Sequence, residues 1–317
     1  MQIGTQMENC IVKDSDYIIK TANYGGGFAG VERDAVVQGT LDGLGVDLFD
    51  VTQITSKLNG MDNFQTESLF RECRIENSTV TINGGNYLGG FAGVMAASYA
   101  IDCDIKGTVS NPLTVDGTGS NIGGFAGEAT IGWANSIGKN ETDNNSLLSV
   151  VRQVATGLLS SDSSANKKLL ALVGLVPSAM MGCQIDMSTV NVSGGGSFVG
   201  GIVGNGEGIL LTESSAAYMN KLTYWEESNL TQKTERENYL KNLESVTAGG
   251  DYVGGIAGEV GAVSLAGVLD SAVSAGSFLI FTVSKVTVTG IDTGYTVISD
   301  GSYPDEDIKG DFAAGGF

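Results

Sequence analysis

One seven-residue phrase returns along this chain and dictates what it can fold into. It reads Tyr24-Gly25-Gly26-Gly27-Phe28-Ala29-Gly30, then Tyr87-Leu88-Gly89-Gly90-Phe91-Ala92-Gly93, then Asn121-Ile122-Gly123-Gly124-Phe125-Ala126-Gly127. Two further copies are Phe198-Val199-Gly200-Gly201-Ile202-Val203-Gly204 and Tyr252-Val253-Gly254-Gly255-Ile256-Ala257-Gly258. The chain's last residues, Ala313-Ala314-Gly315-Gly316-Phe317, start a sixth copy, which suggests a fragment of a longer protein. Repetition over tens of residues is the mark of arrays whose units bury an apolar face only against their neighbours.

The first glycine of each doublet falls at 26, 89, 123, 200, 254 and 315, so the spacings are 63, 34, 77, 54 and 61. Taking 34 as the bare unit, the longer spacings hold insertions at about 32–70, 138–180 and 220–246. A second line recurs upstream of the doublet. Cys73-Arg74-Ile75-Glu76-Asn77-Ser78-Thr79-Val80-Thr81-Ile82 matches Cys183-Gln184-Ile185-Asp186-Met187-Ser188-Thr189-Val190-Asn191-Val192, with the period of two of half-buried strands. Strand, glycine bend and short strand in each unit predict an all-β fold, a β-solenoid (β-helix) forming a single array over 1–317. The doublets mark positions of positive φ or close backbone contact, and Phe28, Phe91, Phe125, Ile202 and Ile256 are expected to stack as an inner ladder. A phosphate-binding glycine loop is disfavoured, because no Gly-Lys-Ser/Thr ending follows.

The insertions read differently. Leucine and valine spacing over 147–159 and 167–176, stopped by Pro177, predicts a helical hairpin within 138–180. Residues 220–246 predict an amphipathic helix with Thr231 as N-cap and Leu240 and Leu243 on one face. A shorter helix is expected over 47–58.

All four cysteines precede a strand of the recurring line, at Cys10, Cys73, Cys103 and Cys183. Ser136, Ser214 and Ser271 are read as their equivalents, so the position is expected to be a small buried rung, with thiols reduced. A disulfide between Cys73 and Cys103 is geometrically open, whereas a metal site would need paired spacing such as Cys-x-x-Cys. With no histidine, the chain cannot build Ser-His, Cys-His or His-metal constellations. Asp102, Asp104 and Asp186 are expected to point outward as solvated strand residues, and Asn77 and Asn191, which begin Asn-x-Ser/Thr sequons, to lie within strands.

Seventeen basic against 36 acidic residues leave a net charge of −19, which argues against nucleic acid and anionic membranes as partners. No stretch approaches a membrane-spanning length of apolar residues, so no membrane insertion is expected in this segment. No cofactor and no metal are expected.

The phrase Tyr252-Val253-Gly254-Gly255-Ile256-Ala257-Gly258, together with the line Ile101-Asp102-Cys103-Asp104-Ile105-Lys106-Gly107-Thr108-Val109, resembles the GLUG repeat of bacterial secreted and cell-surface proteins. That resemblance implies β-helical stalks in adhesin-like proteins and in the non-catalytic regions of immunoglobulin-cleaving peptidases, outside the cell, with no catalysis by the repeat. The resulting expectation is a non-catalytic scaffold that displays inserted elements to a host or matrix protein or glycan. Tyr224, Trp225 and Tyr239 are its candidate ligand-binding residues, since aromatics anchor interfaces. A carbohydrate-active β-helix using Asp/Glu pairs and a passive stalk are the alternatives.

Overall fold

The computed structural model describes residues 5–33, 68–130, 178–207, 209–212 and 236–261, and four two-residue strands between 287 and 315. Among the described residues the fold is all β, with no helix, and every strand pair is parallel.

The first unit comprises β1 (Gln6–Glu8), β2 (Ile11–Lys13), β3 (Asp16–Lys20), β4 (Asn23–Gly26) and β5 (Ala29–Arg33). The second repeats it as β6 (Ser68–Arg71), β7 (Arg74–Glu76), β8 (Thr79–Gly84), β9 (Asn86–Gly89) and β10 (Ala92–Ala96), and the third as β11 (Ser98–Ile101), β12 (Asp104–Lys106), β13 (Leu113–Gly117), β14 (Ile122–Gly123) and β15 (Ala126–Thr130). In the fourth, β16 (Ala179–Met181) leads to β17 (Gln184–Gly194), which fuses the second and third strands, then β18 (Val199–Gly200) and β19 (Val203–Glu207). The fifth has β20 (Leu210–Thr212), the fused β21 (Asn238–Ala248), β22 (Val253–Gly254) and β23 (Ala257–Gly261). A sixth leaves β24 (Thr287–Val288), β25 (Ile291–Asp292), β26 (Ile308–Lys309) and β27 (Ala314–Gly315). Four sheets result, and each takes corresponding strands from successive units, as in the order β1-β6-β11-β16-β20-β24.

The register stacks like on like. Val12, Ile75, Ile105, Ile185 and Leu240 form one inward column; Ile19, Ile82, Val115, Val192 and Val246 form another. Ile75, Ile82, Ile105, Val115, Val192 and Val246 are fully buried. A one-residue slip in any strand would turn such a column out to solvent, so the alternation itself pins the register. The ring ladder expected after the doublets is present. Phe28, Phe91 and Phe125 stack at 5.0 and 4.7 Å with nearly parallel rings, and Phe70 meets Phe28 and Phe91 edge-on. Ile202 continues the buried core and Ile256 packs against it.

The doublet glycines are explained by close approach rather than by left-handed backbone. A Cβ on Gly89 would lie 2.1 Å from the Ala92 carbonyl oxygen, and one on Gly123 2.0 Å from that of Ala126, so only glycine permits the bend. Among the described residues, positive φ falls instead on Asn9, Glu72, Asp102 and Gly182, on Asp14, Asn77 and Asn242, on Tyr24, Tyr87, Asn121, Phe198 and Tyr252, and on Ala97. These are the corners. Asn77 is therefore an exposed corner residue rather than a strand residue.

Residues 238–248 are strand, not the end of the amphipathic helix expected over 220–246. The cause is local. Leu240 and Leu243 both turn toward the core, but the corner at Asn242, with φ of 56°, shifts the alternation by one and imitates a helical spacing of three. The ends of the other insertions are also strand, at Ala29–Arg33, Ser68–Arg71 and Ala179–Met181. The hairpin expected at 147–176, the short helix at 47–58 and Thr231 lie outside the described residues, so helical insertions have no support here.

Candidate functional site

The corner where the first strand of a unit passes into the second gathers the cysteines, the aspartates and Tyr239. Its backbone is a ladder in which Arg74, Asp104, Gln184 and Tyr239 donate their N–H groups to the carbonyls of Cys10, Cys73, Cys103 and Cys183. The cysteine column is thus one residue per unit, and its fifth member is Asn238, not the serines at 136, 214 and 271, which lie outside the described residues. Asn238 substitutes for a thiol in detail. The Cys183 thiol donates to the Ala100 carbonyl of the preceding unit at 3.3 Å; Asn238 Nδ2 donates to the equivalent Met180 carbonyl at 3.1 Å, while its Oδ1 accepts from the Cys183 N–H at 2.7 Å.

All four cysteines are free thiols; Cys73, Cys103 and Cys183 are buried, but Cys10 is exposed, contrary to the expectation of a fully buried set. The reason is its place in the first unit, where no earlier described unit covers it. A hydrogen bond from Cys103 outweighs burial and lowers the Cys73 thiol to about 7, whereas burial pushes the Cys103 thiol well up.

Tyr239, the one candidate binding residue among those described, is half-buried in β21 on the outer face. Its hydroxyl lies 3.5 Å from Asp186 Oδ2, the Lys241 ammonium sits 4.6 Å from its ring centroid, and Lys241 Nζ pairs with Asp186 at 3.1 Å. Burial is the main cause raising the pKa of its hydroxyl. Tyr224 and Trp225 lie outside the described residues.

The same outer face carries a column of alternating charge: Lys13, Glu76, Lys106, Asp186 and Lys241 stand in register on successive strands. Opposite charges directly across neighbouring strands favour this register, and like charges would oppose a slip by one unit. Beside it, Asp102 and Asp104 are buried, 5% and 4% exposed, where outward solvated carboxylates were expected. Arg236 covers them. Its Nη2 bonds Asp104 Oδ1 at 2.6 Å and its Nη1 the Asp102 carbonyl at 3.3 Å, reaching back two units. In the intervening unit the corner position is Gly182, which offers no side chain to block that reach. Burial opposes the charge on Arg236, but the Asp104 carboxylate overrides it and raises the guanidinium pKa. Beneath this corner Phe125, Met180, Ile185, Ile202 and Leu211 line a small apolar cavity with Asn238 and Tyr239 at its side, where the phenylalanine ladder gives way to the smaller Ile202.

A second outer column was missed by sequence reasoning. Tyr24 and Tyr87 stack at 5.0 Å, Phe198 and Tyr252 at 5.1 Å, and Asn121 occupies the register position between the pairs. Its signal was the first residue of each recurring phrase. Below it runs a polar ladder in which Asn23, Asn86, Ser120 and Ser197 accept, through their side chains, the N–H of Asn86, Ser120, Ser197 and Asp251.

Among the described residues, no group of three or more histidine, cysteine or acidic side chains could hold a metal ion, and no helix is long and apolar enough to cross a membrane. No protein family, curated protein or solved structure matches the chain.

Proposed function

We propose that the parallel sheets are the walls of one β-solenoid and that it works as a non-catalytic scaffold, displaying inserted segments to an extracellular protein or glycan of a host or its matrix. The observation that carries this reading is where the insertions occur. The described units are held by in-register stacking, so their outer residues change little without cost to the ladder. The long stretches 34–67, 131–177 and 262–286 all fall between the fifth strand of one unit and the first of the next, and 213–237 falls between β20 and β21. These four junctions flank the sheet of first strands, whereas a shorter stretch, 293–307, falls between β25 and β26. Segments placed in this way vary without breaking the stack, the arrangement in which repeat proteins gather binding elements on one side.

The resemblance to GLUG repeats supports this reading, and with it goes the proposal that the protein stands at a bacterial cell surface. Tyr224 and Trp225 belong to the 213–237 insertion and are its proposed anchors, and Tyr239 stands on the strand into which that insertion leads.

The test is a binding screen of the 317-residue chain against mucins, immunoglobulins and matrix proteins, repeated with Trp225→Ala. The proposal expects a ligand whose binding weakens at least about tenfold in the variant, as for an interface anchor, with the melting transition unchanged. Equal affinity combined with the loss of about 3–5 kcal/mol expected of a core aromatic would show that the insertion packs and does not bind.

A further inference from the structure

The cysteine column opens to solvent at one end. Arg74 donates its N–H to the Cys10 carbonyl at 2.8 Å and stands in register with Ile11, so Cys10 and Cys73 are neighbours in adjacent units, ~4.8 Å apart. Their side chains share one conformation. The thiols of Cys10, Cys73 and Cys103 each lie 3.5 Å from the carbonyl oxygen two residues earlier, those of Glu8, Arg71 and Ile101, so the sulfurs stack one per unit. The Cys73 thiol is hydrogen-bonded by that of Cys103 and, more weakly, by that of Cys10. Cys10 is exposed, whereas Cys73 and Cys103 are fully buried.

We propose that Cys10 and Cys73 are a redox pair, in which the exposed thiol reacts with an oxidising low-molecular-weight disulfide and the buried one resolves the adduct into a bond joining the first two units. Cys10, its proton released to water, attacks one sulfur of the disulfide R–S–S–R; the mixed disulfide forms and one RS⁻ departs. Cys73 then attacks the Cys10 sulfur, forming the Cys10–Cys73 bond and expelling the second RS⁻. Two protein thiols lose two electrons, the small disulfide becomes two thiols, and the protons reach them through water. Burial of Cys73 does not obstruct the second step, because its target is a neighbour rather than a solute. The Cys73 thiol, lowered to about 7, supplies the thiolate, while burial pushes the Cys103 thiol well up and stops the exchange there. A Cα separation of ~4.8 Å lies within the span of about 4.4–6.8 Å that disulfides bridge, but Cβ atoms equally spaced stand wider than their usual mean of about 3.8 Å. The bond is therefore strained and returns readily to thiols. It is a reversible clasp between residues 63 apart, across the stretch 34–67. This site belongs to the stack and requires no partner, so it and the scaffold reading can fail separately.

The experiment equilibrates the reduced 317-residue chain with glutathione disulfide at neutral pH, quenches with acid, alkylates the remaining thiols and maps the peptides. The unmodified sequence should yield a Cys10–Cys73 disulfide with Cys103 and Cys183 still free, and excess reduced glutathione should restore all four thiols. Cys73→Ser, which removes the resolving thiol, should trap the glutathione adduct on Cys10, raising it about tenfold over the unmodified sequence. Cys10→Ser, a change at an exposed position, should leave the other three thiols reduced. A lasting adduct on Cys10 when Cys73 is present, a disulfide that includes Cys103, oxidation of Cys73 in Cys10→Ser, or no reaction at all would overturn the proposal.

Discussion

At the scale of single residues, the most constrained positions are the glycines, because they hold backbone against backbone. Gly123→Ala would set a methyl carbon 2.0 Å from a carbonyl oxygen, whereas Gly261→Ala, among the described residues, meets nothing closer than 4.0 Å. Urea denaturation should show the first losing about 3 kcal/mol, the upper range of overpacking, and the second changing stability negligibly. Thiol labelling separates the cysteines in the same way. In the native protein a maleimide should modify Cys10 quickly and leave Cys73, Cys103 and Cys183 until denaturation, identified by peptide mapping. Glu32 is the residue at odds with its surroundings: it is 5% exposed, and neither carboxyl oxygen makes a well-formed hydrogen bond. Burial pushes its carboxyl well above the usual range, partly opposed by the Ser98 hydroxyl. The folded state then holds a proton that the unfolded state releases above pH 4.5, so stability falls as pH rises from there toward the folded pKa. Glu32→Gln should remove that slope, at most about 1.4 kcal/mol per pH unit, in denaturation curves measured from pH 4 upward.

At the scale of the element, register is what the stacked side chains secure, and the alternating charge column offers a handle on it. Lys106→Glu would place three acids in succession with Glu76 and Asp186, which flank it on β7 and β17. The expected cost is about 1 kcal/mol in low salt, shrinking in high salt as screening takes effect; a loss insensitive to salt would assign the effect to packing instead. The strands were readable in the sequence wherever the period of two ran unbroken, as through Ile75 and from Val80 to Ile82, and the inner ring ladder followed from the phrase itself. What escaped was whatever depends on a corner. Asn242 shifts the phase within β21, so Leu240 and Leu243 resemble a helix face. Arg236 meets Asp104 across 132 residues of sequence, a contact that no local pattern encodes. Asn121 stands in an aromatic position as a small exception whose meaning requires knowing which residues lie above and below it. The cysteine column was visible through its spacing, but the choice of Asn238 as its fifth member was not, because it rests on matching hydrogen bonds rather than on residue type.

For the molecule as a whole, the units share few of the devices that close an ordinary globular core. Each buries its apolar residues against the next, and the core is a set of parallel columns rather than a centre. The central claim is that residues far apart in sequence stand one strand apart in such columns. Methyl-labelled nuclear Overhauser spectroscopy tests it directly on the column of Ile75, Ile105, Ile185 and Leu240, whose members are 30, 80 and 55 residues apart along the chain. The account predicts contacts from Ile75 to Ile105, from Ile105 to Ile185 and from Ile185 to Leu240, with none directly between Ile75 and Leu240, three strands away. Absence of the Ile105 to Ile185 contact, or a direct contact between Ile75 and Leu240, would contradict it.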